Sequence, residues 1–295
     1  MQTAANSNGE LSKDPPTNPA DRMTGRRRAP WPLMLVAALF IVVPFLAWYG
    51  TWFGRALNDE EVEKYLTEGK PRHAQHALSQ VAERIMAGDA SAGRFYPRVA
   101  ALAGSPETDL RMTAAWVMGV EHRSEEFHAA LRRLLTDPEP IVRRNAALAL
   151  VRFGDAASRT ELLEMLRPSE VKAPSEGTAL TALSVGTPVK RESLLVRYKL
   201  KEGAAREVRS PLPGRVEQAL VMEGGQFGAG DRLFVISPDA GQVRDALIGL
   251  SYVGDEADAA AEVERYARGV EGMPDRVKTQ AVQTLAAIKR RVVQR

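Results

Sequence analysis

Hydrophobic and polar positions divide the chain into stretches with different periods. The first has none: 1–29 is rich in Asn, Ser, Thr, Pro and Asp and cannot bury enough apolar surface to offset ordering, which predicts a disordered tail. The next, from Trp31 to Phe53, is apolar and free of charge, about long enough to cross a ~30 Å hydrocarbon core. It predicts a transmembrane helix over 30–54, with Trp31 in one headgroup belt and Trp48, Tyr49 and Trp52 in the other. A cleaved leader would end in small residues, whereas this run ends in bulky aromatics, so the segment reads as a signal anchor. From 58 to 167 the period becomes helical: Ala74, Ala77, Leu78, Val81, Ala82 and Ile85 fall on one stripe. Between 168 and 238 it changes to short β-type runs broken by Gly and Pro, and over 239–295 the helical period returns.

The helical stretches repeat themselves. Leu110-Arg111 with Ala114, Ala115 and Met118 comes back about 32 residues later as Val142-Arg143 with Ala146, Ala147, Leu150 and Phe153. Near the end, Val277-Lys278 is followed by Ala281, Val282, Leu285 and Ile288, and Ala246 to Gly254 matches Ala146 to Gly154 position for position. Small Ala residues let paired helices approach, while Leu, Val and Met fill the seam to the neighbouring pair. The acid at Asp137, the Val142-Arg143 pair and the Ala/Leu spacing up to Gly154 resemble the HEAT repeat family, over about 60–167 and 239–292. That resemblance implies an α-solenoid that presents binding surfaces.

The β-type stretch is a duplication. Glu170-Val171-Lys172-Ala173-Pro174-Ser175-Glu176-Gly177 is answered by Glu207-Val208-Arg209-Ser210-Pro211-Leu212-Pro213-Gly214, and Leu195-Val196 by Leu233-Phe234. Two such halves predict a small symmetric sandwich, with Val, Leu and Phe packed between its sheets. The pattern resembles the barrel-sandwich hybrid of biotinyl and lipoyl carrier domains and of periplasmic adaptor proteins. In the carriers the hairpin between the halves presents a modified lysine, and alignment from Leu194-Leu195-Val196 places Lys201 there. An ordinary exposed hairpin lysine is the other reading of the same residue. The fold class expected is therefore multidomain α+β: one transmembrane helix, then an α-solenoid of HEAT-like pairs with a small all-β barrel-sandwich hybrid inserted in it. The helices after Pro238 amount to about two pairs, fewer than the three or so a solenoid needs, so they are expected to pack on the earlier ones.

Charge orients the reading. Arg26, Arg27 and Arg28 precede the apolar run and Asp59, Glu60 and Glu61 follow it, which by the positive-inside rule keeps the tail cytoplasmic and the bulk of the chain in the periplasm of a bacterial inner-membrane protein. With 44% hydrophobic and 26% charged residues among 295, and no cysteine, disulfide scaffolds and thiol chemistry are excluded. A net charge of only +3, from 40 basic against 37 acidic residues, points away from nucleic acid.

The candidate chemistry is sparse. His73 with His76, and His122 with His128, lack a carboxylate or cysteine at ligand spacing, so no metal or cofactor is expected. Gly224, Gly225, Gly228 and Gly230 read as turn glycines, since no helix follows them. Arg132, Arg133, Arg143 and Arg144 form a candidate ridge for an acidic protein partner. The expected function is non-enzymatic: an anchored, outward-facing scaffold or adaptor that binds envelope or inner-membrane proteins, with transport and secretion complexes as candidate partners. The alternative is a prosthetic-group carrier using Lys201.

Overall fold

The computed structural model describes residues 38–40, 42–43, 56–201 and 203–293. The chain divides into two units, Met1–Ala56 and Leu57–Arg295. In the first, residues 38–40 and 42–43 are helical and expose Leu39, Phe40, Val42 and Val43. The run expected to span a membrane over 31–53 lies mostly outside the described residues. Among those described, no helix is long and apolar enough to cross a membrane. This corrects the expectation of a single-pass signal anchor, and with it the inner-membrane and periplasmic placement. The described helices of the second unit are striped rather than uniformly apolar: even the longest, Asp275–Val293, carries Arg276, Lys278, Lys289, Arg290 and Arg291.

In the second unit the helices are α1 (Asp59–Thr67), α2 (Pro71–Met86), α3 (Tyr96–Ala101), α4 (Thr108–Val120), α5 (Glu125–Leu134), α6 (Pro140–Arg152) and α7 (Arg159–Glu164), then α8 (Ala240–Val253), α9 (Glu256–Arg268) and α10 (Asp275–Val293). Most of the expected stripe positions are buried, Ala74, Ala77, Leu78, Val81 and Ala82 on α2 and Val142, Ala146, Ala147 and Leu150 on α6, while Ile85 is half-buried and Val282 on α10 is exposed. Helix α1 begins at a reciprocal capping box, with Asn58 Oδ1 accepting from the Glu61 N–H and the Glu61 carboxylate accepting from the Asn58 N–H. Asp137-Pro138 precedes α6 rather than opening it; Pro140 takes the first turn, where a missing N–H costs nothing.

Asp137 instead joins successive pairs. Its carboxylate, only 5% exposed, accepts two hydrogen bonds from Arg111 at 2.7 and 3.1 Å. Arg111 also donates to the carbonyls of Ser105 and Pro106, and Arg143, one repeat later, donates in the same way to those of Asp137 and Pro138. Arg143 then reaches Glu161 at 3.1 Å. Each arginine thus closes the turn before its own helix and holds an acid of the following repeat.

The β region lies between α7 and α8, the two helices of one pair. Its strands are β1 (Ser169–Lys172), β2 (Gly177–Ala182), β3 (Pro188–Val189), β4 (Leu194–Lys199), β5 (Ala205–Arg209), β6 (Gly214–Ala219), β7 (Gln226–Phe227) and β8 (Arg232–Pro238). They form two antiparallel sheets, ordered β1-β8-β6-β3 and β5-β4-β2-β7. Exchanging the halves converts one order into the other, and both ladders are interrupted at matching places, at Leu180 in β2 and Glu217 in β6. Both sheets remain open, since β1, β3, β5 and β7 have a ladder partner on one side only. No closed barrel forms among the described residues, so the barrel-sandwich assignment is corrected to two open four-stranded sheets with a shared core that includes Phe234, Val216, Leu195 and Tyr198.

Matching glycines, Gly177 and Gly214, open β2 and β6. A Cβ on Gly177 would lie 2.4 Å from the Tyr198 ring and one on Gly214 2.2 Å from the Ser237 carbonyl oxygen. Each is required by close strand approach rather than by a left-handed backbone. Left-handed backbone occurs in this region at Gly186, Gly203, Gly224 and Gly230, and at one non-glycine, Glu192 (φ 66), the counterpart in the first half of Gly230 (φ 84). The N–H groups of Gly230 and Glu192 donate, each at 2.8 Å, to the matching carbonyls of Ala173 and Ser210. A side chain at that φ costs about 1–2 kcal/mol, and glycine relieves it less its own entropic cost. Glu192→Gly should therefore stabilise the protein by about 0.5–1 kcal/mol, read as a higher urea midpoint at unchanged slope; a loss of stability would show that the Glu192 side chain matters more than its backbone.

The insertion is tied to the helices at both ends. β1 and β8 are neighbours, with Ser169 opposite Ile236, so its two ends emerge side by side. Leu162, Met165 and Leu166 before it share one core with Val243, Leu247, Leu250, Tyr266 and Ile288 after it. Tyr266 Oη donates to the Leu166 carbonyl at 2.8 Å, and Arg167 pairs with Glu262 at 2.9 Å.

Candidate functional site

The four arginines proposed as a ridge do not form one. Arg144 is buried at the α6–α8 seam, with Gln242 accepting from its guanidinium. Arg143 is engaged with Glu161 and two carbonyls, as above. Arg132 pairs with Asp155 at 3.0 Å, and Asp155 also takes a 2.7 Å hydrogen bond from His128, whose ring stacks on Phe153. Burial pushes the Asp155 carboxyl up, but the Ala157 N–H, His128 and Arg132 outweigh it and hold it below the usual carboxylate range. Arg133 alone stays on the surface without an ion pair. The ridge is therefore corrected: three of its members are bonded within the array, because arginine in these repeats closes turns and holds acids.

Lys201 lies in the turn between β4 and β5, its side chain 80% exposed and ion-paired with Glu176 at 2.9 Å. Of the histidines, His73 stacks on Tyr65 and pairs with Glu68, and among the described residues no three His, Asp or Glu side chains gather as a metal site.

The site that emerges is a groove of about 550 Å³ between α6 and α8. Its floor is apolar: Leu148 and Val151 from α6, Ile248 and Gly249 from α8. Gly249 sets the depth, since a Cβ there would come within 3.0–3.1 Å of Leu162 and Val151. The rim is polar, made of His122, Arg152, Asp245 and Tyr252. None of these four side chains makes a hydrogen bond or salt bridge with another described residue, in contrast to the bonded arginines of the seams. Burial raises the Asp245 carboxyl above its ordinary value, Arg244 opposing and Asp239 adding to the shift. Tyr252 is 68% exposed, and Trp116, 49% exposed, holds on α4 the position that Leu148 holds on α6 one repeat later. Sequence reasoning missed these residues. The available signal was that Leu148 and Ile248 match each other in the aligned copies while lying off the buried Ala/Leu stripe.

Residues 97–176 match the family model described as HEAT repeats. Up to the end of α7 this region is a helical repeat, and repeats of this kind point to a protein-interaction scaffold with protein partners. Comparison with curated proteins finds no match. A solved structure titled "Structure and function of a single-chain, multi-domain long-chain acyl-coa carboxylase" is 23% identical over 38% of this chain and 10% of that one, with a TM-score of 0.24. The match spans about a tenth of that protein's length, and a likeness at this level fixes neither fold nor activity.

Proposed function

We propose that the protein is a non-enzymatic scaffold whose helical array holds a partner protein in the α6–α8 groove. The observation that carries this is an apolar floor left uncovered between two helices, ringed by polar side chains that have no bonded partner among the described residues. Apolar clefts of this size with a few polar groups at the rim are where binding sites concentrate, and the matched repeats supply a rigid frame for one. The β insertion, tied to the array through Gln242 and through Arg191 to Asp109, serves as a second presenting surface in the same body.

The test is a photo-crosslinker placed at Trp116 or Tyr252 in the full chain in cells. Crosslinked partners should be recovered at both positions and should fall at least about tenfold with Ile248→Asp, a polar change at a half-buried site that keeps the helical spectrum. Recovery unchanged by Ile248→Asp would place binding elsewhere and overturn the proposal.

A further inference from the structure

The groove has a direction. His122 follows the C-terminal end of α4, Arg152 ends α6 and Tyr252 lies in the last turn of α8. Asp245, by contrast, is in the second turn of α8, seven residues before Tyr252. At 1.5 Å rise per residue the rim therefore runs about 10 Å from an acidic end to a cationic, hydrogen-bond-donating end, with Leu148 and Ile248 between. Neither Arg152 nor Asp245 is neutralised by a salt bridge among the described residues. Two helical turns of a visitor cover that length, which matches apolar anchors spaced i, i+3 and i+7 laid along a helical groove.

Resting on the scaffold reading above, we infer that the groove accepts a short amphipathic helix of a partner protein that carries an acidic group at one end of its apolar stripe and a basic group at the other. The acid meets Arg152 and His122, the base meets Asp245, and the stripe covers Leu148 and Ile248. A segment with the same charge at both ends leaves one rim charge facing a like charge, which is the discriminating penalty.

The experiment is fluorescence anisotropy of the full chain with three labelled synthetic helical peptides. All carry leucine at i, i+3 and i+7; they differ in having aspartate at one end and lysine at the other, aspartate at both ends, or lysine at both. The mixed peptide should bind about tenfold more tightly than either like-charged one. Ile248→Asp should remove the binding of all three, as should Tyr252→Ser, which alters only an exposed rim residue. Arg152→Glu should transfer the preference to the peptide with lysine at both ends. Equal binding of the three peptides, abolished by Ile248→Asp, would overturn the charge order while leaving the scaffold reading intact. Absence of binding by all three, or a mixed preference that survives Arg152→Glu, would overturn the inference, and the crosslinking result would still decide the scaffold reading separately.

Discussion

Leu250→Ala should destabilise the unit from Leu57 onward by about 2–5 kcal/mol, and should do so in one transition that includes the repeats before the β insertion. Leu250 is fully buried in a core shared by Ala147, Leu162 and Leu166, which precede the insertion, and by Val253, Val277 and Ile288, which follow it. Truncation leaves a cavity whose lining comes from both sides of the insertion, so the lost contacts belong to α6 and α7 as much as to α8. Helix α8 does not have a core of its own that could melt first. Against a total stability of about 5–15 kcal/mol the variant stays folded, and the loss is measurable. Urea unfolding followed by far-UV circular dichroism should show a lower midpoint and a single transition, and amides of α4 and α6 should lose protection together with those of α8. If α4 and α6 kept wild-type protection while α8 to α10 exchanged freely, the helices on either side of the insertion would be independent bodies.

How far this architecture was legible in the sequence can be read from particular elements. The match between Ala146–Gly154 and Ala246–Gly254 marks α6 and α8 as equivalent because both bury the same small-residue stripe, and a stripe of that period can be satisfied only by a neighbouring helix. The duplication around Val171 and Val208 is equally plain, since alternating residues report directly which face of a strand is inside. Closure of the sheets was not legible: whether β1 meets β7, or β3 meets β5, depends on edge geometry that alternation does not encode. The arginines misled for a related reason. Arg132, Arg143 and Arg144 look alike as a surface run, but the helical rotation puts Arg144 against Gln242 while Arg143 caps a turn. The groove was hidden because its charged members, His122, Arg152 and Asp245, come from three helices or their ends, separated by as many as 123 positions. Only Leu148 and Ile248, apolar where the stripe does not call for it, carried a trace.

Arg144 gives the second large effect. Its side chain is 7% exposed, its Nε lies 3.9 Å from Glu161 without a hydrogen-bond partner, and its link to the insertion runs through Gln242, which donates to the Pro213 carbonyl at 2.6 Å. Burial lowers its pKa to about 10, the Glu161 charge opposing and Arg143 adding to the shift. The folded state therefore binds fewer protons than the unfolded chain at alkaline pH, from about 10 upward, and the charged guanidinium costs stability at neutral pH. Glu161 is strained in the opposite sense: burial raises its carboxyl above the ordinary value in spite of Arg143 and Arg144. Removing Arg144 deletes one buried charge but takes from Glu161 part of what keeps it ionised. Arg144→Met relieves that cost, but the loss of one partner of a buried pair dominates and leaves the Glu161 carboxylate under-compensated, so the variant should lose about 3 kcal/mol at pH 7. The sign of the pH dependence follows from Glu161. A raised folded pKa contributes stability that is complete below the unfolded value near 4.5 and disappears as pH rises through the folded value. The deficit of Arg144→Met should therefore shrink on going from about pH 7 to pH 5, and the double variant Arg144→Met with Glu161→Gln should recover most of it at every pH. Equal losses at both pH values, with no rescue by Glu161→Gln, would assign the cost to the broken Gln242 link between the array and the insertion instead of to the charge on Glu161.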